Sequence, residues 1–352
     1  MQKHIKFKLI AASFILSLFL FPCLSRSEIQ TLTDMRGRSV TIPGEVSRVV
    51  CIGRGSLRML CYLHAADRVV GVEFPERKET SHARPYLVAY SFLKDLPLIG
   101  FGAQGDPELI LQTTPQLIFY ADGDLQSIET MQSKTGVPVV GITCGNLTEG
   151  RSVFYDCLKL MADVLDKETR CDSLIRGIDQ QFEAISELAS QYHLSDFFAY
   201  IGGLVFKGRH GITSTQARFT PFELLGLNNV ASELRGNANT PAEVHIEQLA
   251  KWNPDVIFTD MATRDQIAQD MAQYPLLQIL SAVQNKQMFE IYPARLYGEN
   301  FETTLVNTFL MAYSLVPEQA PTFHKKAMEL YTLFLNAKAG EIILSTYGIP
   351  SP

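Results

Sequence analysis

Glu108-Leu-Ile-Leu-Gln-Thr-Thr-Pro115-Gln-Leu-Ile-Phe119 and Glu247-Gln-Leu-Ala-Lys-Trp-Asn-Pro254-Asp-Val-Ile-Phe258 follow one pattern, written twice with an offset of 139 residues. Each copy has an acidic start, a short helical stretch, a proline that stops it, and an apolar run of strand length. Glu, Pro, Ile and Phe coincide at a single register, so the chain reads as two α/β blocks related by duplication.

Around the first copy, strand and helix patterns alternate. Arg48-Val-Val-Cys-Ile52 is a β-rich run followed by the turn Gly53-Arg54-Gly55-Ser56. Ser56 is the expected cap of a helix carrying Leu57, Leu60, Cys61 and His64. Arg68-Val-Val-Gly-Val72 reads as a second strand. Asp106 and Pro107 have the residue types of an N-cap and a first helical position. Gln116–Tyr120 and Val137–Ile142 read as further strands, with a helix over Leu125–Lys134 stopped by Gly136. Around the second copy, strands are expected at Phe197–Ile201, Val256–Thr259 and Gln287–Tyr292, and helices at Pro221–Leu225, Glu302–Val316 and Thr322–Ala337. Strands separated by helices imply an α/β fold with mostly parallel sheets.

The segment from Ser152 to Gln191 has no proline, and Phe154, Leu158, Met161, Leu165, Leu174, Ile178, Phe182, Ile185 and Leu188 recur at helical spacing. It reads as one helix of ~40 residues, or two end to end, joining the blocks. The expected divisions are a signal peptide at 1–27, an N-terminal lobe at 28–150, a bridging helix at 151–192 and a C-terminal lobe at 193–352.

Lys3, Lys6 and Lys8 precede an apolar run from Leu9 to Phe21. The run is shorter than the ~20 residues a membrane span needs and has the form of a secretory signal. Ser25-Arg26-Ser27 places cleavage after Ser27. A lipid anchor on Cys23 is the less favoured alternative, because Leu20-Phe21-Pro22 is bulky where a lipoprotein signal has small residues. The expected location is periplasmic.

The net charge of −6 leaves no basic footprint for nucleic acid. Once the expected signal peptide with Cys23 is removed, Cys51, Cys61, Cys144, Cys157 and Cys171 are an odd set with no CxxC spacing, so buried unpaired thiols are expected rather than a zinc site. Beyond the expected signal peptide, the few histidines, His64, His82, His193, His210, His245 and His324, form no rich loop, so no bare-metal site is expected. Gly53-Arg54-Gly55 follows a strand, but Arg58 stands where a dinucleotide fingerprint needs its third glycine. No GxSxG, HExxH or phosphate loop appears, so no catalytic residue is assigned.

The order of five pieces resembles a known family: Asp34-Met-Arg-Gly-Arg38 with Val40, Arg48-Val49-Val50, the Glu108…Pro115…Phe119 unit, the long central helical segment, and Glu247…Pro254…Phe258. The chain is similar to the helical-backbone (class III) periplasmic binding proteins of the iron-siderophore, haem and vitamin B12 importers. That resemblance implies two Rossmann-like lobes bridged by a stiff helix, with ligand held in the cleft between them. It also implies that Glu108 and Glu247 dock on arginines of a membrane permease, which works with an ATPase. No cofactor and a monomeric state are expected. Chelatase-like enzymes share related lobes, but they act in the cytoplasm, and the export signal argues against them.

On such a fold, cleft residues follow the carboxyl ends of strands. The first-lobe candidates are Arg54, Phe74, Phe101, Tyr120 and Asp122. The second-lobe candidates are Lys207-Gly-Arg209-His210-Gly211, Met261, Arg264, and Arg295-Leu296-Tyr297. Of these, Arg54, Phe101, Tyr120, Arg209, His210, Arg295 and Tyr297 are the expected ligand contacts. Their cations suit an anionic iron chelate. A ferric siderophore is the first choice, haem the second, and an oxyanion such as molybdate the third. Vitamin B12 is disfavoured, because family members that bind it use several cleft tryptophans and this chain has only Trp252.

Overall fold

A computed structural model describes residues 29–206, 208, 210–234, 238 and 240–349. The signal-peptide and Cys23 expectations, and the site residues Lys207 and Arg209, lie outside the described residues.

The N-terminal lobe opens with an antiparallel hairpin, β1 (Ile29–Thr33) and β2 (Ser39–Pro43). The buried Asp34 carboxylate closes its turn, accepting from the Arg36 and Arg38 amides at 2.9 Å each. It also takes the Gly141 amide at 3.1 Å and the Arg38 guanidinium at 3.2 Å, which pins the hairpin to the lobe. The motif singled out in the sequence is therefore a brace. Strands β3 (Val49–Ile52), β4 (Leu117–Ala121) and β5 (Val139–Ile142) form a parallel sheet in the order β3-β4-β5. The lobe's helices are α1 (Ser56–Tyr62), α2 (Phe74–Arg77), α3 (Pro85–Ala89), α4 (Pro107–Gln112) and α5 (Leu125–Thr135). Arg68–Val72 adds only isolated parallel bridges, Val49 to Val69 and Val72 to Leu98.

Two caps follow the sequence and one does not. Asp106 Oδ1 accepts from the amides of Glu108 and Leu109, and Gly136 ends α5 in the left-handed region. Ser56 does not cap α1. Gly55 holds that position, and the Ser56 hydroxyl turns to the Phe119 carbonyl at 3.3 Å.

The linking segment differs from an unbroken rod. It consists of α6 (Arg151–Leu165) and α7 (Glu168–Gln191). Asp166 takes a left-handed conformation (φ 50°), and the Lys167 amide returns to the Ala162 carbonyl at 2.9 Å. The two helices then fold back on each other. The Tyr155 hydroxyl donates to Asp179 at 2.7 Å, and the Arg151 guanidinium lies 4.3 Å from the centre of the Phe182 ring. Both apolar stripes face one core, so the hairpin buries them together. Helix α7, about 36 Å long, carries the chain between the lobes. Near its start Arg170 donates to the Tyr62 carbonyl in the first lobe (2.9 Å) and to the Leu333 and Phe334 carbonyls of the C-terminal helices (2.6 and 3.0 Å).

The C-terminal lobe has a parallel sheet of β6 (Phe198–Gly202), β8 (Asn228–Asn229), β10 (Val256–Asp260) and β11 (Met288–Ile291), in the order β11-β10-β6-β8. Strands β7 (Ser214–Thr215) and β9 (Ala242–Glu243) pair separately. The helices are α8 (Thr220–Leu225), α9 (Ile246–Trp252), α10 (Arg264–Gln273), α11 (Ser281–Gln284), α12 (Phe301–Leu315), α13 (Phe323–Phe334) and α14 (Ala337–Tyr347).

The duplication is exact at its centre. Strand β10 starts and ends 139 residues after β4, and α9 starts 139 residues after α4. Thr114 and Asn253, each just before the repeat proline, both adopt positive φ (46° and 43°). The sheet registers also correspond. Val49 pairs with Leu117 in one lobe, as Ala199 pairs with Val256 in the other.

Strands β4 and β10 are buried on both faces, as parallel strands are. Their inward residues, with α6, α7 and the almost wholly buried α12, form one apolar core continuous across both lobes. The outward residues Val50, Ile52, Ile118 and Tyr120, and Tyr200 and Ile257 in the second lobe, belong to smaller separate clusters. A shared core resists wide hinging.

Candidate functional site

Parallel strands in both lobes deliver their carboxyl ends to one inter-lobe region, where the loops must turn sharply. Gly53 (φ 88°) follows β3, and a Cβ there would meet the Ala121 carbonyl oxygen at 2.3 Å, so no other residue fits. This turn exposes Arg54, which lines a pocket of about 360 Å³ with Tyr120 and Asp122. Burial pushes both the Tyr120 hydroxyl and the Asp122 carboxyl above their ordinary values. Phe74 and Phe101 stand beside each other after neighbouring edge segments, with ring centres 5.8 Å apart. Phe101 is 73% exposed, so its ring presents open apolar area.

From the opposite lobe comes the loop after β11. Arg295 donates to the Gln216 side chain. Together with Arg218 and Glu299 these residues face Asn146 and Thr148 of the first lobe across a cavity of about 190 Å³. Arg218 also spans the lobes directly, bonding Glu149 at 2.6 Å while holding Glu223 at 2.6 Å. Sequence reading missed Arg218, Gln216, Asn146 and Thr148. They lie in irregular loops beyond short elements, and no periodicity marks them.

Several expected contacts are engaged by the protein itself. His210 Nδ1 lies 2.7 Å from Glu243, and its Nε2 lies 2.7 Å from the Phe206 carbonyl. Arg264 makes a two-pronged bond to Glu290 at 2.5 and 2.8 Å. Met261 is buried. Tyr297 crosses to the first lobe, where its hydroxyl donates to Glu73 Oε2 at 2.7 Å. The structure therefore brings together Arg54, Tyr120 and Asp122 in one pocket and places Arg295 in the other. Phe74 and Phe101 form a separate exposed pair.

A buried polar cluster lies at the lobe boundary. The Tyr62 hydroxyl donates to Glu302 Oε2, whose carboxyl burial raises to about 7. Arg58 is 3% exposed, stacks on Phe301, and has Nε and Nη1 buried without hydrogen-bond partners. Among the described residues no three His, Cys, Asp or Glu side chains converge as a metal site. The five described cysteines are buried and unpaired.

Glu108 and Glu247 are both exposed, each the second residue of its short helix. They are equivalent positions of the duplicated unit. A helix that leads into a parallel strand begins on the carboxyl-end side of the sheet, so both acids sit on the side where the cleft opens.

No curated protein matches the chain in sequence. Solved structures match its fold. The molybdate-binding MolA of Haemophilus influenzae is 22% identical with a TM-score of 0.64, covering 87% of this chain and 97% of its own. A periplasmic solute-binding protein from Veillonella parvula is 16% identical with a TM-score of 0.70, covering 91% and 98%. The haem-binding protein HmuT is 18% identical with a TM-score of 0.56, covering 84% and 93%. A periplasmic binding protein sequence profile matches residues 49–294. With two parallel-sheet lobes joined by a long helix, the chain belongs to the periplasmic binding proteins, a family of solute-binding proteins rather than enzymes.

Proposed function

We propose that this chain is the extracytoplasmic solute-binding component of an ABC importer, and that it carries an anionic metal species to the permease. The carrying observation is that the carboxyl ends of two parallel sheets present Arg54 with Tyr120 in one pocket and Arg218 with Arg295 in a second, with the exposed Phe101 apart from both. Guanidinium groups bind carboxylates and other oxyanions with paired hydrogen bonds. Aromatic faces suit the flat rings of a chelator. A ferric siderophore is the ligand this chemistry favours, with Arg54 and Tyr120 as its first-lobe contacts.

One observation favours a second reading. The cavity between Arg218, Arg295, Asn146 and Thr148 is about 190 Å³, below the usual range for sites that enclose drug-sized ligands. Its two guanidinium groups suit a small oxyanion such as molybdate, which would have to displace Glu149 or Glu223 from Arg218 and lie beside Glu299.

The test is calorimetric titration of the purified mature protein with ferric catecholate and hydroxamate siderophores, haem, and molybdate. Tight binding of a ferric siderophore, weakened at least tenfold by Arg54→Ala with Phe101→Ala, supports the first reading. Molybdate binding lost in Arg295→Ala and unchanged in Arg54→Ala supports the second. Binding of none of these ligands by folded protein removes both.

A further inference from the structure

Tyr297 belongs to the second lobe but completes a hydrogen-bond chain inside the first. Its backbone is left-handed (φ 57°), an uncommon state for a bulky residue, which turns its ring out of its own lobe. The ring lies 5.0 Å from the Arg84 guanidinium carbon. That guanidinium is itself fixed by Glu76 at 2.9 Å and by the Pro75 carbonyl at 2.7 Å. The Tyr297 hydroxyl then reaches Glu73 Oε2 at 2.7 Å.

Glu73 is 1% exposed, and it is shared between two structures. While Oε2 takes the Tyr297 hydroxyl, Oε1 accepts the Gly53 amide at 3.3 Å. Gly53 starts the turn that presents Arg54, and its backbone passes so close to Ala121 that no side chain is admitted there. A contact at 3.3 Å is long for this class of bond and depends on the carboxylate staying correctly rotated. The Gly105 backbone bonds the same carboxyl from within the first lobe, and Tyr297 holds it from the second.

The geometry points to Glu73 and Tyr297 as positioning residues that couple contact between the lobes to the shape of the Gly53–Arg54 ligand turn. A small opening that withdraws the Tyr297 hydroxyl leaves the Glu73 carboxyl held only by the Gly53 and Gly105 backbone, and the long Gly53 contact weakens. The turn loosens on opening and sets on closure, so the first-lobe half of the site is completed from the second lobe. This inference rests on the cleft being the ligand site, but its test needs no ligand.

The test is hydrogen exchange read by mass spectrometry on the mature chain, comparing wild type with Tyr297→Phe, Glu73→Gln and Glu73→Ala. Tyr297→Phe keeps the ring on Arg84 and removes only the hydroxyl. The expected result is exchange about tenfold faster at the Gly53–Ser56 amides, with β4 unchanged as the control for folding. Glu73→Ala should match or exceed this, and Glu73→Gln, which keeps an acceptor oxygen, should fall between it and wild type. Unchanged Gly53–Ser56 exchange in Tyr297→Phe overturns the coupling even if Glu73→Ala loosens the turn. Faster exchange that extends equally into β4 also overturns it, because that marks general destabilisation. Neither outcome bears on the ligand titrations.

Discussion

Single buried carboxyl groups organise much of this molecule, in two opposite ways. Asp34 accepts two turn amides, the Gly141 amide and the Arg38 guanidinium at once. Asp34→Ala leaves those donors unsatisfied at the seam between hairpin and sheet, and should cost about 3 kcal/mol in urea unfolding. Glu302 behaves differently. Burial raises its carboxyl from 4.5 to about 7. Because the folded pKa lies above the unfolded one, the folded state holds the proton more tightly between those values. Its contribution is complete below pH 4.5 and is lost as pH rises toward 7. Glu302→Gln removes that dependence, so the stability of the variant relative to wild type should improve between pH 5 and pH 8. A pH-independent difference between the two unfolding curves would refute the assignment.

The elements show what a sequence exposes and what it hides. The repeat unit was legible because its proline, its acid and its apolar run each have a local physical meaning. Its register survives down to the positive φ shared by Thr114 and Asn253. Two helices end to end are an open reading of the linking segment in the sequence, and what stays hidden is that the chain turns back at Asp166, because the apolar periodicity runs through it. The two stripes match one continuous helix as well as two helices folded onto one core. The final helix α14 was also unforeseen, since only two residues separate it from α13. Asp166→Gly distinguishes the alternatives by sign. In a left-handed cap glycine relieves strain, so the substitution should stabilise by a few tenths to about 1 kcal/mol. In the interior of a continuous rod it would destabilise by a few tenths of a kcal/mol, since Asp is only slightly the better helix former. Thermal unfolding reads this difference directly.

At the scale of the whole molecule, two features set how it meets a partner. The continuous core and the α6–α7 pair keep the lobes in a nearly fixed relation. The duplication then places one exposed acid at the same point of each lobe, on the side where the cleft opens. We propose, as the family resemblance implies, that Glu108 and Glu247 dock on two separated cationic sites of a permease. The sequence made this pair visible as the heads of the repeat. It could not show that the bodies between them are stiff, because stiffness comes from packing across sequence-distant helices. Both acids are solvent-exposed, so their pairing with permease arginines should speed association and be screened by salt within about 10 Å at 0.1 M. Glu108→Ala and Glu247→Ala should each slow binding to reconstituted permease, and the double variant should abolish ligand uptake by cells. Affinity for ligand in solution should stay within about twofold of wild type, since neither side chain lines the pockets of the cleft. If affinity falls as far as uptake does, these acids serve the cleft and not the dock. If uptake survives the double substitution, the two corners are ordinary first-turn acids, and the permease recognises some other surface.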